Sequence, residues 1–302
     1  MNNTVIDLTR LAAPELVETI DFETLLAERK AKLVSLYPTE KQAEVAATLE
    51  LESEPMVMLL QENCYREITL RQRVNDAGRA VMLAYAKGTD LDHLAAFFGI
   101  ERLMITPADT LNEIPAVMES DDDLRKRVQL APDSFSVAGP EGAYKSNAIG
   151  ADGQVLDAAV SSPTPGAVLV TVLSRTGNGL ASDELVAKVA AAVGAEDVRP
   201  LTDLVVVQSA EIVEYEVDAV IYTFSGPDSA VVMAAARARL DAYVEECHRI
   251  GREVPVSGLH AALHVDGVER VELVKPAASV QTNGTQAPYC TGVTLSPGGG
   301  NG

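Results

Sequence analysis

Residues 139–173 restrict the fold more than any other stretch of the chain. Gly139-Pro140 sets a helix start, because proline at the first helical position loses no needed N–H. Gly150 and Asp152-Gly153 then stop that helix and turn the chain. Two apolar runs follow, Val155 to Val160 and Ala167 to Leu173, split by the stiff turn Ser162-Pro163-Thr164-Pro165-Gly166. The pattern predicts a helix leading into a β-hairpin. A similar word order returns later. Ser257-Gly258 opens a short helix, Asp266-Gly267 turns it, and Val268 to Val274 continue as a strand. Neither copy carries a reactive group, so pattern alone describes an acidic α+β assembly protein.

Composition narrows the partners. The 302 residues suffice for two domains with real cores, and the formal net charge is −20. A field of that sign repels phosphate backbones and anionic lipid, so neither nucleic acid nor membrane is expected as a partner. Aromatic content of 4% with no Trp argues against a stacked sugar or cofactor site, and so against a carbohydrate-binding module. No basic-then-apolar opening marks a signal peptide, and no apolar run is long enough to cross a bilayer. Cys64, Cys247 and Cys290, odd in number and widely spaced, read as reduced, mostly buried thiols.

After a short lead (Val5 to Leu8), the first third reads as helical. Asp21 is placed to cap a stripe of Phe22, Leu25, Leu26, Leu33 and Leu36, which Pro38 ends. Thr39 and Gln42 have capping-box spacing for a second helix. Ser53 is placed to cap a third, in which Met56, Leu60, Cys64, Ile68, Val74, Val81 and Tyr85 recur over roughly thirty residues, about 45 Å. Gly88 closes it in this reading. A helix of that length on a small domain either forms an internal bundle or packs on a partner, and partner packing is expected here. Leu91, Leu94, Ala95 and Phe98 point inward on a fourth helix that ends at Gly99.

The stretch Gly88 to Arg102, Gly-x-x-Leu-Asp-x-Leu-Ala followed by Gly-Ile-x-Arg, resembles the opening of the core of the baseplate J-like family. AGPEGAY (138–144), SSPTPGAVLVTVLSRTGNG (161–179), AEDVRPLTD (195–203), SGLHAALHVDGVERVEL (257–273) and QAPYCTGVTL (286–295) fit as well, in the same order. The resemblance runs from near residue 5 to about 296. It implies a structural wedge subunit of a contractile phage tail or tail-like particle, located in the baseplate and assembled in the bacterial host cytoplasm. The implied partners are an I-type tail protein, further copies of the chain, and the central spike or hub and sheath-initiating proteins. It also implies that Leu60, Cys64 and Ile68 face the helical bundle formed with the tail protein and that the Glu214–Asp218 strand lies near a subunit contact.

Between Leu103 and Leu124 six acidic residues occur without a basic one, ending in Asp121-Asp122-Asp123. Successive helical side chains diverge by about 100°, so these carboxylates do not converge on one ion. Ser120 with Asp123 fits a cap instead, and Arg125, Lys126 and Arg127 follow to neutralise the rest. Thr106-Pro107 and Ile114-Pro115 mark an extended connection, and Pro132 is expected to stop the next helix.

Further along, Ser182 is placed to cap a helix with a Glu184–Lys188 pair, and Leu204 to Gln208 supply a third strand. Ile212 to Phe224 alternate strictly, with Val213, Tyr215, Val217, Ala219 and Ile221 on one face and Glu214, Glu216 and Asp218 on the other: a solvated surface or a recognition edge. Gly226-Pro227 turns it, and Asp228 or Ser229 caps the next helix. Tyr289, Thr291, Val293 and Leu295 alternate as a last strand. The expected class is therefore α+β, an all-helical region with one long helix followed by two small α/β units with mixed or antiparallel sheets. The expected divisions are 1–105 (helical, bundle-forming), 106–210 (first unit), 211–296 (second unit, contacting the neighbouring wedge) and a disordered tail, 297–302.

The chemistry-bearing residues do not assemble into a site. His260 and His264 lie one turn apart, with Cys247 or His248 conceivable as a third ligand, but the set lacks the spacing of zinc sites. Gly177-Asn178-Gly179 is too short for a phosphate loop, and no nucleophile elbow or dinucleotide motif is present. No catalytic, cofactor-binding or metal residue is assigned. The alternative from another class is a small-ligand enzyme on a two-unit α+β fold.

Overall fold

A computed structural model describes residues 8, 11, 21–136, 139–196, 198–224 and 228–298. The chain divides into two compact units, Ile6–Gly99 and Ile100–Gly302.

The first unit is helical: α1 (Phe22–Ser35), α2 (Thr39–Thr48), α3 (Pro55–Ala80) and α4 (Gly88–Ala96). The Asp21 carboxylate accepts the Thr24 N–H at 2.9 Å and caps α1 as its sequence predicts. Leu25 and Leu26 of α1 then close over Cys64 of α3, with Phe22, Leu60 and Ile68 around them. The capping box of α2 does not form. The Gln42 amide donates to the Tyr37 carbonyl instead, and Pro38 occupies the N-cap. The third helix starts behind Glu54, with Pro55 in its first turn, and spans 26 residues. It ends at Ala80, short of Tyr85. Bonds from the Tyr85 and Ala86 N–H groups to the Met82 carbonyl make that segment a turn. Gly88, with φ of 52°, therefore begins α4 and does not close α3. Leu91 and Ala95 are buried, but Phe98 is 36% exposed, because it lies beyond the C-cap at Phe97.

The second unit begins with a two-stranded antiparallel arm, β1 (Met104–Thr106) and β2 (Val117–Met118). Behind it comes α5 (Asp121–Ser134), whose Leu124, Val128 and Ala131 are buried. Pro132 lies inside this helix, two residues from its end, so it removes one N–H from the last turn and the helix stops shortly after it. Next are α6 (Glu141–Gly150), β3 (Val155–Ser161), β4 (Ala167–Ser174), α7 (Asp183–Val193) and β5 (Leu204–Ser209). The sheet order is β3-β4-β5, the hairpin antiparallel and β4–β5 parallel with α7 as crossover. Tyr144 and Ala148 of α6 and Leu185, Val189 and Val193 of α7 cover Val155, Ala158, Val170 and Val172. A bulge between Val155 and Asp157 makes that possible. It lets Val155 and Ala158 share the helix-covered face and frees Leu156 for another cluster.

The remaining elements are β6 (Glu211–Thr223), α8 (Ser229–Cys247), α9 (Val256–Leu263), β7 (Val268–Lys275) and β8 (Gln286–Pro297). The order is β7-β6-β8, with β6 antiparallel to β7 and parallel to β8. Tyr215, Val217, Ala219 and Ile221 pack under Val232, Ala236 and Leu240 of α8 and Leu259 and Leu263 of α9. Asp228 caps α8 by accepting the Ala230 N–H at 2.9 Å, while the Gly226-Pro227 turn lies outside the described residues. Alternation along β8 breaks at a bulge, since Tyr215 pairs with Cys290 and Glu216 with Gly292. Cys290, Val293 and Leu295 thereby join the core side. Pro297, expected in a disordered tail, continues the ladder opposite Ile221, and residues 299–302 lie outside the described residues. The whole is α+β, with mixed and antiparallel small sheets after a helical region.

Candidate assembly surfaces

The three adjacent aspartates each find a different cation. Asp121 pairs with Arg102 at 2.7 Å, Asp122 with Arg125 at 2.6 Å, and Asp123 with Arg175 at 2.9 Å and Lys126 at 3.6 Å. Ser120 Oγ accepts the Asp123 N–H at 3.1 Å, which is the cap the spacing predicts. Burial works against the charged form of Asp123, but Arg175 and Lys126 outweigh it and hold its pKa below the usual carboxylate value.

The histidines do not share a helix face. His260 lies within α9, whereas His264 is its C-cap, with non-helical ψ of 77° and its N–H bonded to the His260 carbonyl. His248 is likewise a C-cap, that of α8. Its Nδ1 meets the Pro288 carbonyl at 2.6 Å, so this nitrogen carries the proton, and its ring stands edge-on to Tyr289. Among the described residues, no three His, Cys, Asp or Glu side chains are arranged to hold a metal. Cys64 and Cys247 are buried, and desolvation pushes the Cys64 and Cys290 thiols up, away from the thiolate a nucleophile needs.

Two sequence words now acquire a structural reason. Gly139 has φ of 72°, and a Cβ there would lie 2.9 Å from both Asp203 Oδ2 and Pro200 Cγ. Tyr144, one turn into α6, donates its hydroxyl to the same Asp203 oxygen at 2.9 Å, and burial raises its own pKa to about 12. The Gly-Pro-Glu-Gly-Ala-Tyr and Arg-Pro-Leu-Thr-Asp segments thus lock together. Gly179 (φ 102°) is a close-approach glycine too, because a Cβ would lie 2.6 Å from Leu173 and 2.9 Å from His248.

The surfaces that remain are broad. Leu60, Cys64 and Ile68, expected to face the helical bundle, pack against α1 of their own chain. The other side of α3 is the uncovered one. Leu59, Leu70 and Val74, spaced eleven and four residues apart and so on one face, are 60%, 61% and 68% exposed. The helical spacing placed Val74 in one stripe with Leu60, Cys64 and Ile68, whereas the structure covers those three and leaves Val74 exposed. Period alone does not say which of two apolar stripes the chain covers itself. The acidic strand, β6, lies between β7 and β8, but β7 pairs only with Asp218–Thr223, so Glu214 and Glu216 sit where the ladder runs to β8 alone. Its outer face carries a Glu216–Lys275 pair at 2.9 Å and Arg270 stacked 4.0 Å above the Tyr222 ring. An open edge exists at β5, where Leu204 and Val206 are exposed.

This order of elements is matched by three family models: the baseplate J-like N-terminal domain at residues 52–109, the central domain at 136–209 and the C-terminal domain at 215–296. The chain belongs to the baseplate J-like family. Baseplate protein J of Escherichia phage P2 is 54% identical over 297 residues, covering 98% of each chain. A chain in the cryo-EM structure of the anti-feeding prophage (AFP) baseplate, 6-fold symmetrised, is 16% identical with a TM-score of 0.41. That match covers 61% of this chain and 44% of the solved one, so this chain matches less than half of its length. As a member of the baseplate J-like family with so similar a phage relative, the chain is a structural component of a phage baseplate. The N-terminal model takes in α3 and α4, the central model the β3-β4-β5 sheet with α6 and α7, and the C-terminal model the β7-β6-β8 sheet.

Proposed function

We propose that the chain is a wedge subunit that joins an I-type tail protein and neighbouring wedges in a ring around the central spike and tube, in contact with hub and sheath-initiating proteins. Residues 1–105 form the bundle-making part, 106–210 the first α+β unit and 211–296 the part that meets the next wedge. Assembly takes place in the host cytoplasm. The observation that carries this reading is the uncovered side of α3, where Leu59, Leu70 and Val74 stand exposed on one face with the Glu62–Arg66 pair between them, a mixed surface that another helix can cover. Its role is cohesive and not catalytic, a view supported by the desolvated thiols and the individually paired aspartates. Co-expression of the full chain with the I-type protein tests it. The wild type elutes as a complex, and the double substitution Leu70→Glu/Val74→Glu lowers affinity at least ten-fold while circular dichroism stays unchanged. Equal capture by both forms contradicts the assignment of that face.

A further inference from the structure

Within the Ile100–Gly302 unit the two sheets meet at a seam that the wedge reading does not use. Ala210 alone separates Ser209, the end of β5, from Glu211, the start of β6, so one extended segment serves both sheets. The apolar cluster around it is small. Leu173, Ala210 and Ala287 are buried there with Leu156, Ile212 and Ile250 beside them, whereas the cores of the two sheets bury nine and thirteen side chains among the described residues. Two of the three buried seam residues are alanines, so among the described residues the seam buries less apolar surface than either sheet's core.

Beside the cluster lies an open charged cleft of about 730 Å³, with Asp123, Lys145, Asp157 and Arg175 on one wall and Arg249 and Arg252 on the other. Asp157 reaches across. Its Oδ2 accepts the Ile250 N–H at 3.1 Å, while Oδ1 accepts from the Ala158 N–H at 2.9 Å and pairs with Lys145 at 3.3 Å on its own side. The bulge at the start of β3 aims it there, since it puts Leu156 and Asp157 away from the helix-covered face.

We propose that this seam is an elbow, hinged at Ala210 and latched by Asp157. When the latch opens, the two sheets reorient about one residue while each keeps its hydrogen-bond ladder and its own core. A few residues at element ends that absorb the backbone change are enough for such a motion. A seam joined by this small cluster, the Asp157 bond and the close approach of Gly179 to His248 opens below the free energy of global unfolding. The elbow stands on the geometry of this chain and does not depend on the wedge reading.

Hydrogen exchange of the full-length chain in rising urea, paired with limited trypsin digestion at Arg249 and Arg252, tests it. In the wild type the Ile250 amide exchanges through an opening with a shallower urea dependence than the central amides of β6. Asp157→Ala accelerates Ile250 exchange and cleavage at the two arginines at least ten-fold and leaves β6 exchange unchanged. Lys145→Met, which removes the ion pair but keeps the acceptor, behaves as wild type. Should Asp157→Ala fail to fold, the wild-type urea series decides alone. Ile250 exchanging only together with β6, or Asp157→Ala and Lys145→Met giving the same rates, overturns the elbow.

Discussion

Glu119 shows how single residues hold the arm before α5. It is 3% exposed, its carboxylate meets Arg127 at 2.6 Å, and it accepts the Leu103 N–H at 3.1 Å. Removing one partner of a buried pair leaves the other charge unpaired, at a cost of about 3–5 kcal/mol. Glu119→Ala is therefore expected to lose about that much in urea unfolding, and Glu119→Gln less, since it keeps an acceptor for Leu103. Asp123 gives the acid limit. Its folded pKa lies below its unfolded value of about 3.9, so its contribution is present above that pH and lost as pH falls through the folded value. Acid titration of stability checks this, the Asp123→Asn variant flattening the lower part of the curve. Gly153 is a packing limit, because a Cβ there would sit 2.3 Å from the Met104 carbonyl oxygen, a backbone atom that cannot swing away. Gly153→Ala is expected to cost about 1–3 kcal/mol, read from the denaturant midpoint at constant slope.

At the scale of elements, the two sides of α3 make opposite predictions. Leu26→Ala, which empties the α1–α3 contact, is expected to destabilise the isolated chain by about 2–5 kcal/mol in thermal or urea unfolding. Leu70→Ala, on the uncovered side, is expected to stay within about 0.5 kcal/mol. Element existence was legible in the sequence wherever the determinant is local. Asp21, Ser120 and Ser182 cap the helices their spacing predicts, and the Asp152-Gly153 turn forms because the Gln154 N–H bonds to Asp152 at 2.8 Å. Reading failed where one group had two available partners. The Gln42 amide took the Tyr37 carbonyl, and Val81 to Tyr85 kept helical spacing while folding as turns. The bulges at Leu156 and Thr291 were also invisible, since an extra residue shifts alternation only once the partner strand is known.

For the whole molecule, strand pairing was the part least visible beforehand. The acidic strand reads as half-buried from its period, yet whether it lies at an edge or a centre depends on β7 and β8, which follow it by about fifty residues or more. Asp157 and Ile250 stand 93 residues apart, so no local pattern joins them at the seam. The membership of the chain in its family was legible, because motifs such as Gly139 to Tyr144 and Arg199 to Asp203 are tied to each other by close packing and a hydrogen bond. The central claim concerns what α3 presents outward. Imaging the assembled baseplate by cryo-EM, with the chain placed by its two three-stranded sheets, tests it most directly. The account predicts that the Leu59–Leu70–Val74 face of α3 is covered by a helix of a second baseplate polypeptide; the same face standing in solvent in the finished particle contradicts it.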